Sequence, residues 1–546
     1  MNNLARLWRT VRHLRPVQVY GRLWFRLARP RPDLSPAPPL REQRGAWAQP
    51  TRREQSLTAP ARFRFLNEEG SLAENGWDDP AKAKLWRYNQ HYFDDLNAEG
   101  AETRTEWHRT LIADWIAKNP PGPGSGWDPY PTSLRIVNWV KWAQAGNALP
   151  EQAIHSLAVQ SRWLMRRLEW HLLGNHLFAN AKALVFAGLF FEGREAEGWL
   201  DAGTAILSRE IPEQILPDGG QFELSPMYHA LAVEDMLDLV NIARAFDRDD
   251  LAVAWSERLP AMLDWLVTMQ HPDGAPAFFN DTAIGIAPSN RELMGYAQRT
   301  GFQPPAGPDD LCHLPASGYA RLSVGPAVLI ADLARIGPDY LPGHAHADTL
   351  SFELSLDGQR VIVNSGTSVY GLGPERLRQR STAAHSTVTV DDRNSSEVWS
   401  GFRVGRRARP FGVETRRDGA SVIVRGAHDG YRHLPGAPVH QREWRLNTGG
   451  LTVLDTVQGK GHHLVEARFH LAPEFCARQA AENVVSVENE ERDRVTSIFV
   501  DGGTVHIEPA TWHPQFGSAV ANQVIRVRAD TDLPCLLRTC LQWSVL

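Results

Sequence analysis

The chain has 546 residues, 42% hydrophobic and 22% charged, with a formal net charge of −5. This is the composition of an ordinary globular protein, long enough for more than one domain. The mild negative charge argues against nucleic acid as a partner. The four cysteines form no CxxC pair, so neither a zinc cage nor a disulfide framework is signalled.

The first 32 residues hold eight arginines and no acid. Leu4, Leu7, Val11 and Leu14 fall at helical spacing opposite Arg6, Arg9, Arg12 and Arg15. Arginines break the apolar runs, so there is no signal-peptide core and no transmembrane run. Two readings stay open: a helix lying on a membrane surface, and a basic helix docked on the protein's own acidic body. The default compartment is the cytoplasm, with the periplasm as the alternative. The sequence does not set an oligomeric state. Residues 30–60 are rich in proline and read as an extended linker.

From about residue 80 to 300 the apolar period is helical. Trp107, Leu111, Ile112, Trp115 and Ile116 make one stripe, and later stripes are divided by breakers such as PPGPGSG, PDGG and HPDG. Successive helical pairs with short loops predict an (α/α) toroid or solenoid. From about 318 the period is two, with strands expected at 327–333, 350–356, 360–364, 387–390 and onward to 535–543. The fold class is therefore α+β, with a helical toroid of hairpins followed by an antiparallel β-sandwich. The domains are 1–62 (basic helix and linker), 63–317 (toroid) and 318–546 (sandwich). Nineteen tryptophans suit sugar stacking, although core packing accounts for most of them.

The densest stretch of candidate chemistry runs from Pro342 to His385. His344, His346 and Asp348 alternate ahead of a strand, and at about 3.3 Å per residue the two imidazoles share a face. His385 opens a second strand. This suits a metal or an acid/base pair, while surface-loop histidines are the plainer explanation. In the helical half, Asn175 and His176 open one helix, where Asn175 also suits an N-cap. Gln221, Glu223, Tyr228 and His229 crowd one turn, with Ser225-Pro226 as a cap that leaves the Tyr228 hydroxyl free. Asn280-Asp281 sits in a loop, and Arg135 is a cation inside an apolar helix.

Six motifs in order resemble the heparinase II/III family of polysaccharide lyases: WRYNQHYFDDL, PYPTSLRIVNW, GNHLFANAKAL, DGGQFELSPMYH, HAHADTLSFEL and RSTAAHSTVTVDD. The arginine-rich start is similar to members that accompany bacterial exopolysaccharide genes. The resemblance implies β-elimination at a uronic acid of an anionic polysaccharide. By motif position, Asn175 neutralises the substrate carboxylate beside His176, Tyr228 works on the proton and the leaving oxygen, and His344 is the partner acid/base. Arg135, Gln221, Glu223, Tyr370 and Arg380 are expected to contact substrate, with Arg135 supplying positive charge to the Tyr228 phenol. A structural zinc ion is implied on His346, His385 and Asn364. Asn364 stands where the family usually has Asp, and an amide is a poorer ligand. Two other functions fit the same residues: a non-catalytic carbohydrate-binding or assembly protein, and a glycoside hydrolase using Glu223 and Asp281.

Overall fold

The computed structural model describes residues 2–489 and 494–543. A helical half runs from the Lys84–Tyr92 helix to the Asn290–Arg299 helix. Its hub is the Gly174–Phe190 helix, which packs on Pro129–Gln144, Glu151–Met165, Arg194–Gln214 and Pro226–Ala245. Its sequence is apolar almost all round, as suits a helix enclosed by others. Only Asn175 and His176 on it escape full burial, because its first turn opens on a groove.

The second half holds two antiparallel sheets of eight and nine strands that share one apolar core. Its first strand, Leu311–Leu314, lies ahead of the expected change at 318. The Phe352–Leu356 and Gln359–Val363 strands pair through an Asp357-Gly358 turn, both residues at positive φ, as a tight hairpin requires. Phe352–Leu356 is buried on both faces. Phe352 and Leu354 enter the shared core, whereas Glu353 and Ser355 face the helical half, 3.0 and 2.7 Å from the two ring nitrogens of His271. A buried polar network therefore joins the two halves, and the groove lies at this seam.

Two expectations need correction, and one of the two readings of the basic start is seen directly. His344 and His346 lie ahead of the strand, as expected, but without strand spacing: strand geometry begins at Phe352, and residues 344–350 form a loop. Their shared orientation comes from a common partner described below. The proline-rich segment is not a free linker but a strap. Arg162 donates to the Ser35 and Pro36 carbonyls, and the Thr51 hydroxyl lies 2.5 Å from Glu234. The basic start forms two helices, Asn2–Val11 and Pro16–Leu27, tied to both halves. Arg9 grips Glu397 at 2.9 and 2.8 Å, and Arg15 pairs with Glu213. Docking on the protein's own acids is thus observed.

Candidate active site

A groove of about 930 Å³ runs along the seam and is lined by Asn175, His176, Gln221, Glu223, Tyr228, His344 and Tyr370. Local chain geometry sets each of them. Leu173 and Gly174 have positive φ, and the helix starts at Gly174 with Leu173 at the cap position. Asn175 is therefore inside the first turn, not the N-cap, and its side chain is free for the groove. Ser225 caps the next helix by accepting from the Tyr228 backbone N–H at 3.2 Å, with Pro226 at the first helical position. The Tyr228 ring then lies 4.1 Å from the His344 ring, and its hydroxyl is 3.1 Å from that of Tyr370.

Asp281 organises the centre. Its Oδ2 is 2.8 Å from His344 Nδ1, and its Oδ1 is 2.8 Å from His346 Nε2. Arg376 donates to both carboxylate oxygens from within the protein. Burial alone would raise this carboxyl, but Arg376 and the two imidazoles outweigh it and hold it well below the usual range. A carboxylate can only accept, so both facing ring nitrogens carry hydrogens. His344 Nε2, the other ring nitrogen, lies at the groove, 3.5 Å from Glu223 Oε2. The neighbouring Asn280, at positive φ, donates its backbone N–H to Asp348 and accepts from the His346 N–H. The 280–281 and 344–348 loops are thus locked together.

Burial raises Tyr228 well above its ordinary value, with Tyr370 and Asp281 adding to the shift, so it rests as a phenol. Burial likewise raises Glu223. Its Oε2 has no hydrogen-bond partner among the described residues. His176 Nδ1 is 3.1 Å from Glu169; burial opposes its charge, and Glu169 outweighs burial and raises its pKa.

His346, Asp348 and His385 bring donor atoms within 4.8 Å of one another. His346 Nδ1 and His385 Nε2 are 3.1 Å apart, and His385 Nδ1 is 2.7 Å from the Ser381 carbonyl. The outer nitrogens both face acceptors, so two lone pairs point at each other across the gap. Tetrahedral zinc at about 2.0–2.1 Å from each nitrogen spaces them by about 3.3 Å, so these residues fit the ion. Asn364 has another job: its Oδ1 accepts from the Ser386 N–H at 3.0 Å, and its amide nitrogen faces Ser351.

Two of the expected substrate contacts lie elsewhere. Arg135 is fully buried, 3.8 Å above the Trp115 ring, and bonded to Gln160 and the His91 carbonyl. It is core, and Arg376 is the cation beneath the site. Arg380 is also buried; it holds the Ala345 and Gly401 carbonyls and so positions the His344 loop. Asp281 is enclosed and spoken for by Arg376 and two histidines, which removes it as half of a hydrolase pair. Arg376 gave no sequence signal, because PERLRQ reads as a charged surface turn.

The family model described as Heparinase II/III N-terminus matches residues 86–298, and Heparinase II/III-like, C-terminal matches residues 306–538. The chain belongs to the heparinase II/III family. A heparin-sulfate lyase of Bacteroides stercoris is 27% identical over 46% of this chain and 39% of its own length. FtsZ-localized protein C of Caulobacter vibrioides is 27% identical over 66% of this chain and 62% of its own. The chain thus spans less than two thirds of the length of these relatives. A crystal structure of heparinase III superposes with a TM-score of 0.66 at 18% identity, covering 86% of this chain and 77% of that one. At that identity the likeness is one of fold.

Proposed function

We propose that the protein cleaves a uronic-acid-containing polysaccharide by β-elimination. The observation that carries this reading is the Tyr228 ring 4.1 Å from His344, facing Asn175 and His176 across one groove. Elimination needs three services: neutralising the C6 carboxylate, removing the C5 proton, and protonating the leaving oxygen. The Asn175 amide and the His176 imidazolium serve the carboxylate. His344 Nε2, held by Asp281 in the tautomer with a free lone pair, takes the C5 proton. The C–H electrons form the C4–C5 double bond, the C4–O bond breaks, and the Tyr228 phenol donates its proton to the departing oxygen. A phenol raised by burial suits the acid better than the base. Gln221 and Glu223 shape the wall, and Tyr370 orients the Tyr228 hydroxyl.

The cations deeper in the groove are occupied. Arg53 lies 2.5 Å from Glu234, Lys182 lies 2.7 Å from Asp235, and Lys141 pairs with Asp238. Arg22, Arg64 and Arg403 line the same groove without a carboxylate partner among the described residues, so anionic bacterial exopolysaccharides are screened together with sulfated polymers. The reading includes the curl of the helical pairs into a toroid around the groove. It also includes a structural zinc ion on His346, His385 and Asp348; when bound, zinc ties the His344 loop to the sandwich. Incubation with a panel of unsulfated and sulfated uronic-acid polymers tests the reaction. Ultraviolet absorbance from a conjugated double bond is expected; new reducing ends without it would mean hydrolysis and defeat the proposal.

A further inference from the structure

The two N-terminal helices show solvent the side chains that protein surfaces ordinarily hide. Leu4 is 76% exposed, Trp8 65%, Tyr20 61%, Trp24 70% and Leu27 79%. Of the twenty large exposed apolar side chains among the described residues, nine fall within the first 27 positions, and seven of these lie outside the groove lining. Such concentration marks a contact surface rather than scattered surface carbon. The helices are not a loose arm that could fold this face inward. Arg9 is fixed to Glu397, the Gln18 side chain donates to the Tyr340 carbonyl at 3.1 Å, and Arg167 stacks 3.6 Å over Phe25.

The charge around the face selects its partner. No acid occurs before Asp33. Arg6, Arg9 and Arg15 are spent on Trp399, Glu397 and Glu213. Arg22, Arg26 and Arg29 are exposed and have no carboxylate partner among the described residues. A second copy docked face to face would set these arginines against each other with no acid to meet them. Leucines flanked by tryptophan, tyrosine and unpaired arginine match the boundary between acyl chains and anionic headgroups.

We propose that this helical pair docks the protein on an anionic lipid bilayer. Trp8, Tyr20 and Trp24 lie at headgroup depth, Leu4, Leu23 and Leu27 reach the acyl boundary, and Arg26 and Arg29 meet phosphates. The helices lie on the surface: no helix among the described residues is long and apolar enough to cross a membrane. The inner side of the same pair, through Leu7, Val11, Gln18 and Arg22, lines the groove. Docking therefore sets the groove mouth beside the membrane, whatever reaction the groove performs.

Co-sedimentation of the full chain with vesicles tests this, using phosphatidylcholine alone or mixed with phosphatidylglycerol. The protein should pellet with the mixed vesicles and stay in solution with the neutral ones. Each arginine near an anionic surface is worth roughly fivefold in partition, so Arg26→Gln with Arg29→Gln should weaken binding about thirtyfold. Trp8→Ser with Trp24→Ser should weaken it at least tenfold and leave the circular dichroism unchanged, since both side chains are exposed and neither lines the groove. Failure to pellet with either vesicle, or equal pelleting with both, would overturn the proposal. So would undiminished binding by the tryptophan pair, or light scattering that shows a dimer broken by Trp24→Ser.

Discussion

The Asp281 carboxylate lies 2.8 Å from His344 Nδ1, and the same group lies 2.8 Å from His346 Nε2. One side chain from a loop of the helical half thus fixes the tautomer of the proposed base and of a proposed metal ligand, both on the other half. Coupling of the halves at this carboxylate makes the seam a site and not merely a contact.

Asp281→Asn keeps the shape but can no longer accept from both imidazoles and Arg376 together. Turnover should fall on the order of 10²–10⁴-fold, the range of positioned proton transfer. Arg376 is left buried without its partner, which costs about 3–5 kcal/mol. Steady-state kinetics and urea unfolding measure the two effects. A stable, fully active variant would show that Asp281 holds neither histidine in a working state.

His176 supplies a pH signature. Its pKa is raised above the ordinary 6.5 because Glu169 outweighs burial. The imidazolium is present below that raised value and is lost as pH climbs through it. KM for the polymer should therefore rise on the alkaline side of pH 6.5, and His176→Gln should have a high KM that is flat over the same range. An unchanged alkaline limb in the variant would assign the effect to another group.

Arg135→Met should lower stability and leave the kcat of the folded fraction near wild type. The guanidinium is stacked on Trp115 and bonded to Gln160 in the core, away from the groove. Thermal unfolding and active-site-normalised kinetics decide it. A large loss of kcat without loss of stability would return Arg135 to the site.

Purified protein should carry about one zinc per chain by elemental analysis, and chelation should lower the melting temperature. Asp348→Asn should reduce occupancy more than Asn364→Ser, because the Asn364 oxygen is engaged by the Ser386 N–H. The reverse order would identify Asn364 as the third ligand.

Much of this was legible from spacing alone. The change from helical to alternating period located the two halves, and the turn chemistry of Ser225-Pro226 placed Tyr228 correctly. What escaped was chemistry assembled over long separations. Asp281 draws its partners from positions 344, 346 and 376, so no local pattern shows that it is ionised and enclosed. Arg135 looked functional because the tryptophan beneath it lies on another helix. The Val439–Asn447 strand gives no clean apolar alternation for a related reason: its inward positions include His440 and Arg442, paired with Asp455 on the adjacent strand.

The most direct test of the proposed elimination is Tyr228→Phe on a polymer that yields the unsaturated product. The substitution removes only a hydroxyl bonded to Tyr370, and the ring keeps its packing. Single-turnover absorbance should slow by roughly 10²–10⁴-fold with unchanged melting temperature. Turnover near wild type would contradict the account and leave the leaving-group proton to another residue of the groove.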